Sequence, residues 1–471
     1  MLNRILDNDT ICALASPHGM GAIAVARISG PKALDIVATL FQHCGKSLET
    51  SEIKTYKAYH GYIVDNGEML DEVLVTFFRA PHSFTGEDSS EISVHGSVYV
   101  QQKLLQLLIS HGCRMAEAGE FTRRAFVNRK FDLAQAEAIA DLISSESEAA
   151  HRVAINQLKG GFSKELQVMR SKLLEMTSLI ELELDFSEED VEFADRSQLK
   201  ALLQETLDHV NKLKDSFRLG NAIKNGIPVA IVGQTNTGKS TLLNALVGED
   251  RAIVSDIAGT TRDTIEETLN INGILYRFID TAGLRNTDET IEKIGIERSY
   301  KKISEANIVI GMLDATTGYE PILLAANEIR SKVDLAHQQL LLCINKVDTL
   351  PDQGEALLGH LRLDLDNDDI MVICLSAKQG FGLNDLYNTL KHSQPLASPD
   401  ATLVSNVRHY EALLHASESL KSVQQGLEIS TPTDLVSQDL REALHYLGSI
   451  TGEITTDEVL GSIFSRFCIG K

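Results

Sequence analysis

The chain has 471 residues, a length that suggests about three domains. Asp and Glu number 66 against 44 Lys and Arg, for a formal net charge of −22. That balance excludes a broadly cationic nucleic-acid binder and leaves only a local basic site open. Hydrophobic residues at 43% and charged residues at 23% exclude disordered and low-complexity classes. The six cysteines (Cys12, Cys44, Cys113, Cys343, Cys374 and Cys468) form no C-x-x-C pair. They point to a reducing compartment rather than a disulfide framework or zinc site. MLNRILDNDT lacks an apolar signal core, and runs such as Leu340 to Ile344 are too short to span a bilayer. The expectation is a cytoplasmic protein with no membrane segment. His18, His43, His60 and His95 have no metal-site spacing.

Three textures follow in chain order. Up to residue 122, short β-like runs (AIAVARIS from Ala22, VLVTFF from Val73, EISVHG from Glu91) mix with turns and one helical stretch near Gln101 to Ser110. This predicts an α+β domain over 1–122. From Phe131, apolar residues recur at helical spacing, with Gly160-Gly161 as a break and an acidic loop at Ser187 to Asp195. A further helix runs through Leu202, Leu207, Val210 and Leu213. This predicts a helical domain over 123–220. From Gly226 to about Leu390, apolar runs alternate with helical patterns, which predicts a mostly parallel sheet covered by helices over 221–392. Beyond Pro395 and Pro399 helical texture returns over 393–471. The simplest topology inserts the α/β domain into the helical one.

Gly233-Gln234-Thr235-Asn236-Thr237-Gly238-Lys239-Ser240 matches G-x-x-x-x-G-K-[ST], between the strand-like IPVAIVG and the helix-like TLLNALVG, which can end at Gly248. Backbone N–H groups of such a loop and the helix N-terminus cradle phosphate. Asn236, Thr237, Gly238 and Thr241 belong to this nucleotide-binding set. Lys239 neutralises the β and γ phosphates, and Ser240 ligates Mg²⁺. Asp280-Thr281-Ala282-Gly283 follows the strand-like ILYRFI; Asp280 can hold the magnesium water shell and the Gly283 N–H can meet the γ-phosphate. Asn345-Lys346-Val347-Asp348 ends LLLCI, and a carboxylate there accepts the two donors on the guanine edge, a pair that adenine lacks. Ser376-Ala377-Lys378 can offer a backbone N–H to guanine O6. The order of these motifs predicts GTP as substrate over ATP.

Ser255-Asp256-Ile257-Ala258-Gly259-Thr260-Thr261-Arg262-Asp263 resembles the bacterial GTPases related to Era. Three more features narrow the match: ISG at Ile28 with SFTGED at Ser83, DLAQAEAIADLI at Asp132, and Phe467-Cys468-Ile469-Gly470-Lys471 at the end. With them, nearly the whole chain resembles the MnmE (TrmE) family of tRNA-uridine-modifying GTPases. Leu284 follows the D-T-A-G motif, where many Ras-like GTPases place a water-orienting Gln. The resemblance implies that Glu292 orients water instead. It also implies K⁺ held by Asn236, Ser255, Ile257 and Thr260 in place of an arginine finger, with Thr261 completing Mg²⁺ binding. Residue 255 is Ser where the best-known members carry Thr. The competing reading makes Arg262 or Arg285 a finger.

The resemblance further implies a tetrahydrofolate site (5-formyl or 5,10-methylene) at the N-terminal dimer interface, with Arg27, Glu91, Lys130 and Lys471. The loop Pro17-His18-Gly19-Met20-Gly21 departs from the family's Gly-Arg-Gly form, because Met20 supplies no cation. Cys468 is implied in the modification chemistry, with a buried packing role as the alternative. As a whole the resemblance implies a homodimer whose G domains associate on GTP hydrolysis. The partners it implies are tRNA and an FAD-dependent MnmG subunit, in a heterotetramer or larger complex. The product would be a 5-(carboxymethyl)aminomethyl-type group on wobble uridine. The rival class is a GTP-dependent regulatory or ribosome-assembly switch without modification chemistry.

Overall fold

The structure is a computed structural model that describes residues 9–185, 196–249, 267–279, 303–365, 369–392, 402–429, 431–465 and 467–470. The chain divides into two compact units. One comprises Met1–Ile143, Gln157–Val210 and Ala412–Lys471; the other comprises Ser144–Asn156 and Asn211–Glu411. The second unit thus interrupts the first in sequence. The expected boundary at residue 122 falls inside a helix, Glu120–Val127. Ser144–Asn156, read from sequence as helical-domain chain, groups with the second unit.

The first unit carries an eight-stranded sheet. Its strands are β1 Thr10–Leu14, β2 Ile23–Ser29, β3 Phe41–His43, β4 Lys46–Ser47, β5 Ala58–Asp65, β6 Glu68–Phe78, β7 Ser89–His95 and β8 Cys113–Met115. They lie in the order β4-β3-β5-β6-β7-β2-β1-β8, with only the β1–β8 edge parallel. Period-two patterning explains one face: Val73, Val75 and Phe77 of β6 are buried, and helices Ala33–Leu40 and Val98–Ser110 cover them. The same alternation turns Leu74 and Thr76 of β6 to the other face, beside Arg27 and Glu91.

The helical part follows the 3.6-residue rule. In Gly161–Asp185, Leu166, Met169, Leu173, Met176 and Ile180 are buried at three- and four-residue steps and meet helix Thr433–Thr451. Helix Glu148–Leu158 stops just before Gly160, and the next helix starts at Gly161, where the sequence placed a break.

A charge cluster built around buried Glu120 and Arg124 ties the N-terminal segment to helix Glu120–Val127. Glu120, 2% exposed, accepts from Arg114 Nη2 at 2.7 Å, Arg124 Nη2 at 3.0 Å and the Glu117 N–H at 2.8 Å. Arg124 also reaches Asp9 at 2.6 Å and Glu87 at 3.2 Å. Burial alone would raise the Glu120 carboxyl; Arg114, the Glu117 N–H and Arg124 outweigh it and hold it below its ordinary 4.5. Asp9 is likewise held below 3.8, burial being overcome by Arg114 and Arg124.

The second unit carries a six-stranded sheet of β9 Ile227–Gly233, β10 Glu267–Ile271, β11 Ile274–Ile279, β12 Ile308–Asp314, β13 Gln339–Asn345 and β14 Ile370–Cys374. The order is β10-β11-β9-β12-β13-β14, antiparallel only at β10–β11. β12 and β13 are buried along almost their whole length because apolar cores lie on both faces of the sheet. The helix after β9 spans Lys239–Glu249, one residue beyond the stop expected at Gly248. No helix among the described residues is long and apolar enough to cross a membrane.

Lowered carboxyl pKa values stabilise the fold above their unfolded values, and that stabilisation is lost as acid titrates the folded groups. Unfolding stability should therefore fall as pH drops below about 4.5. Glu120→Gln should cost about 3 kcal/mol at neutral pH and flatten that acid slope. Urea unfolding followed by far-UV circular dichroism checks both, and an unchanged slope would contradict the role of Glu120.

Candidate functional site

In an open α/β sheet, ligands bind beyond the carboxyl ends of the parallel strands. Here those ends are brought level by register: Gly233 lies opposite Met312, and Asp314 opposite Asn345. The G-x-x-x-x-G-K-S loop leaves β9 there and enters helix Lys239–Glu249. Asn236 takes a left-handed backbone, φ 61°, and is exposed. Thr237 is buried, and its Oγ1 donates to Gln234 O at 2.9 Å. Lys239 Nζ donates to Gly233 O at 2.9 Å and Gln234 O at 2.7 Å, so its ammonium sits inside the loop. Ser240 and the exposed Thr241 follow in the first helical turn, where the helix dipole favours anions.

Asn345, 3% exposed, joins two loops: its Nδ2 donates to Thr237 O at 2.7 Å, and its Oδ1 accepts from the Ala377 N–H at 3.0 Å. The structure gives its carboxamide these two loop partners. Gly238 must be glycine for this contact, since it has φ 95° and a Cβ there would lie 2.2 Å from Asn345 Nδ2. Lys346 has φ 65° and Val347 is buried. Asp348 is exposed at the rim, with Gln379 Nε2 at 3.4 Å from its Oδ2. The Ser376 N–H donates to Phe381 O at 2.9 Å. A guanine O6 would thus share the Ala377 N–H with Asn345 or take the Lys378 N–H.

In the first unit, Arg27 and Glu91 face each other across β2 and β7. Arg27 donates to Glu91 Oε1 from Nε at 2.9 Å, and its guanidinium lies over the rings of Phe84 (5.0 Å) and Phe121 (5.8 Å). Lys130 is exposed and donates to Pro81 O at 3.0 Å. The C-terminal tail lies on the same unit. Phe464 and Phe467 anchor it against Leu133, Ile469 bridges to Ala118, and the Gly119 N–H reaches Cys468 O at 3.4 Å. Gly470 lies against the Leu14 carbonyl, at the end of the strand next to Arg27. Cys468 is exposed. Met20 is 91% exposed.

Comparison with known proteins decides the family. The family model described as "MnmE helical domain" matches residues 133–468, and "GTP-binding protein TrmE N-terminus" matches 10–130. The tRNA modification GTPase MnmE of Bacteroides fragilis is 50% identical over 468 residues, covering 99% of this chain and 100% of the relative. The chain belongs to the tRNA modification GTPase MnmE family. MnmE of Parabacteroides distasonis is 51% identical over 98% of this chain and 100% of the relative. Among solved structures, the FeoB G-domain of Methanococcus jannaschii is 28% identical and covers 35% of this chain and 95% of that chain, with a TM-score of 0.26.

Several residues expected in an MnmE-family site lie outside the described residues. They are Ser255 to Thr261 with Arg262, Asp280 to Gly283 with Leu284 and Arg285, Glu292, and Lys471. Conversely, sequence reasoning passed over Gln379, Phe84 and Phe121. Gln379 stands one residue past Ser376-Ala377-Lys378, and SFTGED contains Phe84, so both lie within reach of motifs already singled out.

Because Gly238 leaves no room for a side chain, Gly238→Ala should weaken GDP binding by at least about tenfold with far-UV circular dichroism unchanged. Calorimetric titration checks this, and wild-type affinity would contradict the tie between the loops.

Proposed function

We propose that this tRNA modification GTPase hydrolyses GTP with Mg²⁺ and K⁺, couples hydrolysis to G-domain association across a homodimer, and works in the cytoplasm with an FAD-dependent MnmG partner. The modification is a 5-(carboxymethyl)aminomethyl-type group on wobble uridine of tRNA, built from a tetrahydrofolate one-carbon unit. The observation that carries the nucleotide part is the Asn345 bridge, which holds the phosphate loop, the Asn345-Lys346-Val347-Asp348 loop and the Ser376-Ala377-Lys378 loop as one rim.

The donor chemistry fits the two cations. A hydroxyl at Ser240 and a carboxamide at Asn236 are oxygen donors of the kind hard cations take. Bound there, the cations supply positive charge against the phosphate oxygens. Lys239 exchanges its loop carbonyls for β and γ phosphate oxygens, and Asp348 accepts the two guanine donors. Ser255, Ile257 and Thr260 complete the K⁺ set, Thr261 the Mg²⁺ set, and Glu292 orients water.

For the one-carbon part, the Arg27–Glu91 pair, with Arg27 stacked over two aromatic rings, fits a pterin: a carboxylate acceptor for its donor edge and a cation for a carboxylate tail. Lys130 and Lys471 add charge, and the exposed Cys468 lies on a tail held against this unit. Assignment of Cys468 to the modification chemistry rests on the family.

Two measurements test this reading. GTP turnover should be at least about tenfold faster in KCl than in NaCl at equal ionic strength; equal rates would remove K⁺ from the mechanism. Asp348→Asn should shift preference from guanine towards xanthine nucleotide, because an amide meets the xanthine 2-oxo group where a carboxylate repels it. An unchanged preference in competition binding would remove Asp348 from base recognition.

A further inference from the structure

Asp314 ends β12, one strand over from the guanine loop, and its carboxylate is fully engaged. Its Oδ1 accepts from the Thr316 N–H at 2.9 Å and from Thr316 Oγ1 at 2.7 Å. Its Oδ2 accepts from Lys346 Nζ at 2.5 Å. The Asp314 side chain is only 13% exposed, and Lys346 crosses to it from the neighbouring strand end, where Asp314 and Asn345 are register partners.

Lys346 holds an unfavourable backbone conformation. Its backbone is left-handed, φ 65°, which a non-glycine residue holds only when its surroundings over-determine it. Two sets of contacts do so. The Lys346 carbonyl accepts from the Thr349 N–H at 3.1 Å and Thr349 Oγ1 at 2.7 Å. The ammonium, at the far end of the side chain, is fixed on Asp314. Lys346 stands between Asn345, which binds the two neighbouring loops, and Asp348, the residue proposed to read guanine. A change in its backbone would therefore swing both.

We propose that Asp314 is a positioning residue for guanine nucleotide binding: held by Thr316, it pins Lys346 and so keeps Asn345 and Asp348 aligned with the phosphate loop. The ammonium of Lys346 is thereby committed to the protein, and its stem lies across the carboxyl ends of β12 and β13, where the nucleotide crevice opens. A charge-assisted bond of this geometry is strong enough to bias a strained loop. The inference rests on the guanine reading of Asp348, and the experiment separates the two.

The test uses the full chain and a fluorescent GDP analogue, with Asp314→Asn, Lys346→Met, their double variant, and Asp348→Asn as the control for base reading. Asp314→Asn should release GDP at least about tenfold faster and raise KM for GTP, with kcat at saturation within about twofold of wild type. Lys346→Met should act similarly. The double variant should be no worse than the more impaired single, because both remove one contact. A GDP release rate within twofold of wild type for Asp314→Asn would overturn the proposal, as would additive losses in the double variant. If Asp314→Asn unfolds, Thr316→Ala, which loosens the carboxylate and keeps its charge, should give a smaller loss in the same direction; no loss there overturns it. If Asp348→Asn leaves base preference unchanged while Asp314→Asn still weakens binding, the guanine reading of Asp348 falls and the Lys346 contact stands.

Discussion

One carboxamide holds the nucleotide rim together. Asn345 donates to the phosphate loop through Thr237 O and accepts from the Ala377 N–H, and it does so while nearly inaccessible to solvent. A buried amide with both ends bonded is strong because neither end can fall back on water. The three loops involved leave three different strands, β9, β13 and β14, so a single side chain converts the parallel register of the sheet into a continuous edge. Tight approach at Gly238 and the left-handed Lys346 are the local costs of that arrangement.

The same logic appears in miniature in the first unit. Arg27 and Glu91 are level across two strands, and the aromatic rings of Phe84 and Phe121 come from a loop and a helix on either side. The charge cluster of Glu120, Arg114, Arg124, Asp9 and Glu87 fixes that helix to the sheet edge. The acidic balance of the chain thus conceals a place where an arginine, Arg124, is buried among carboxylates.

How far the sequence can be read depends on how local each constraint is. The phosphate loop is legible because its glycines, lysine and serine are contiguous, and the chemistry dictates their spacing. The parallel sheet is legible because β12 and β13 are apolar on both faces. Strand β6 shows its alternation plainly, but β1 is five residues long and acquires its place only by pairing with β2 and β8. Helix Glu120–Val127 straddles an expected boundary because helical periodicity says nothing about which core a face will meet. The same is true of Ser144–Asn156. Asp314 is invisible for a different reason: a strand-end aspartate acquires meaning only when its partner, thirty-two positions away, is known.

The split composition of the first unit has a consequence for synthesis. Helix Gly161–Asp185 leaves the ribosome with an apolar stripe of Leu166, Leu173, Met176 and Ile180, yet its covering helix Thr433–Thr451 comes about 250 residues later. At about 5–20 residues per second, that stripe waits roughly 10 to 50 seconds. Meanwhile the contiguous stretch Asn211–Glu411 carries its own sheet and can collapse first. Nascent chains paused in that interval are the ones a chaperone would most readily engage.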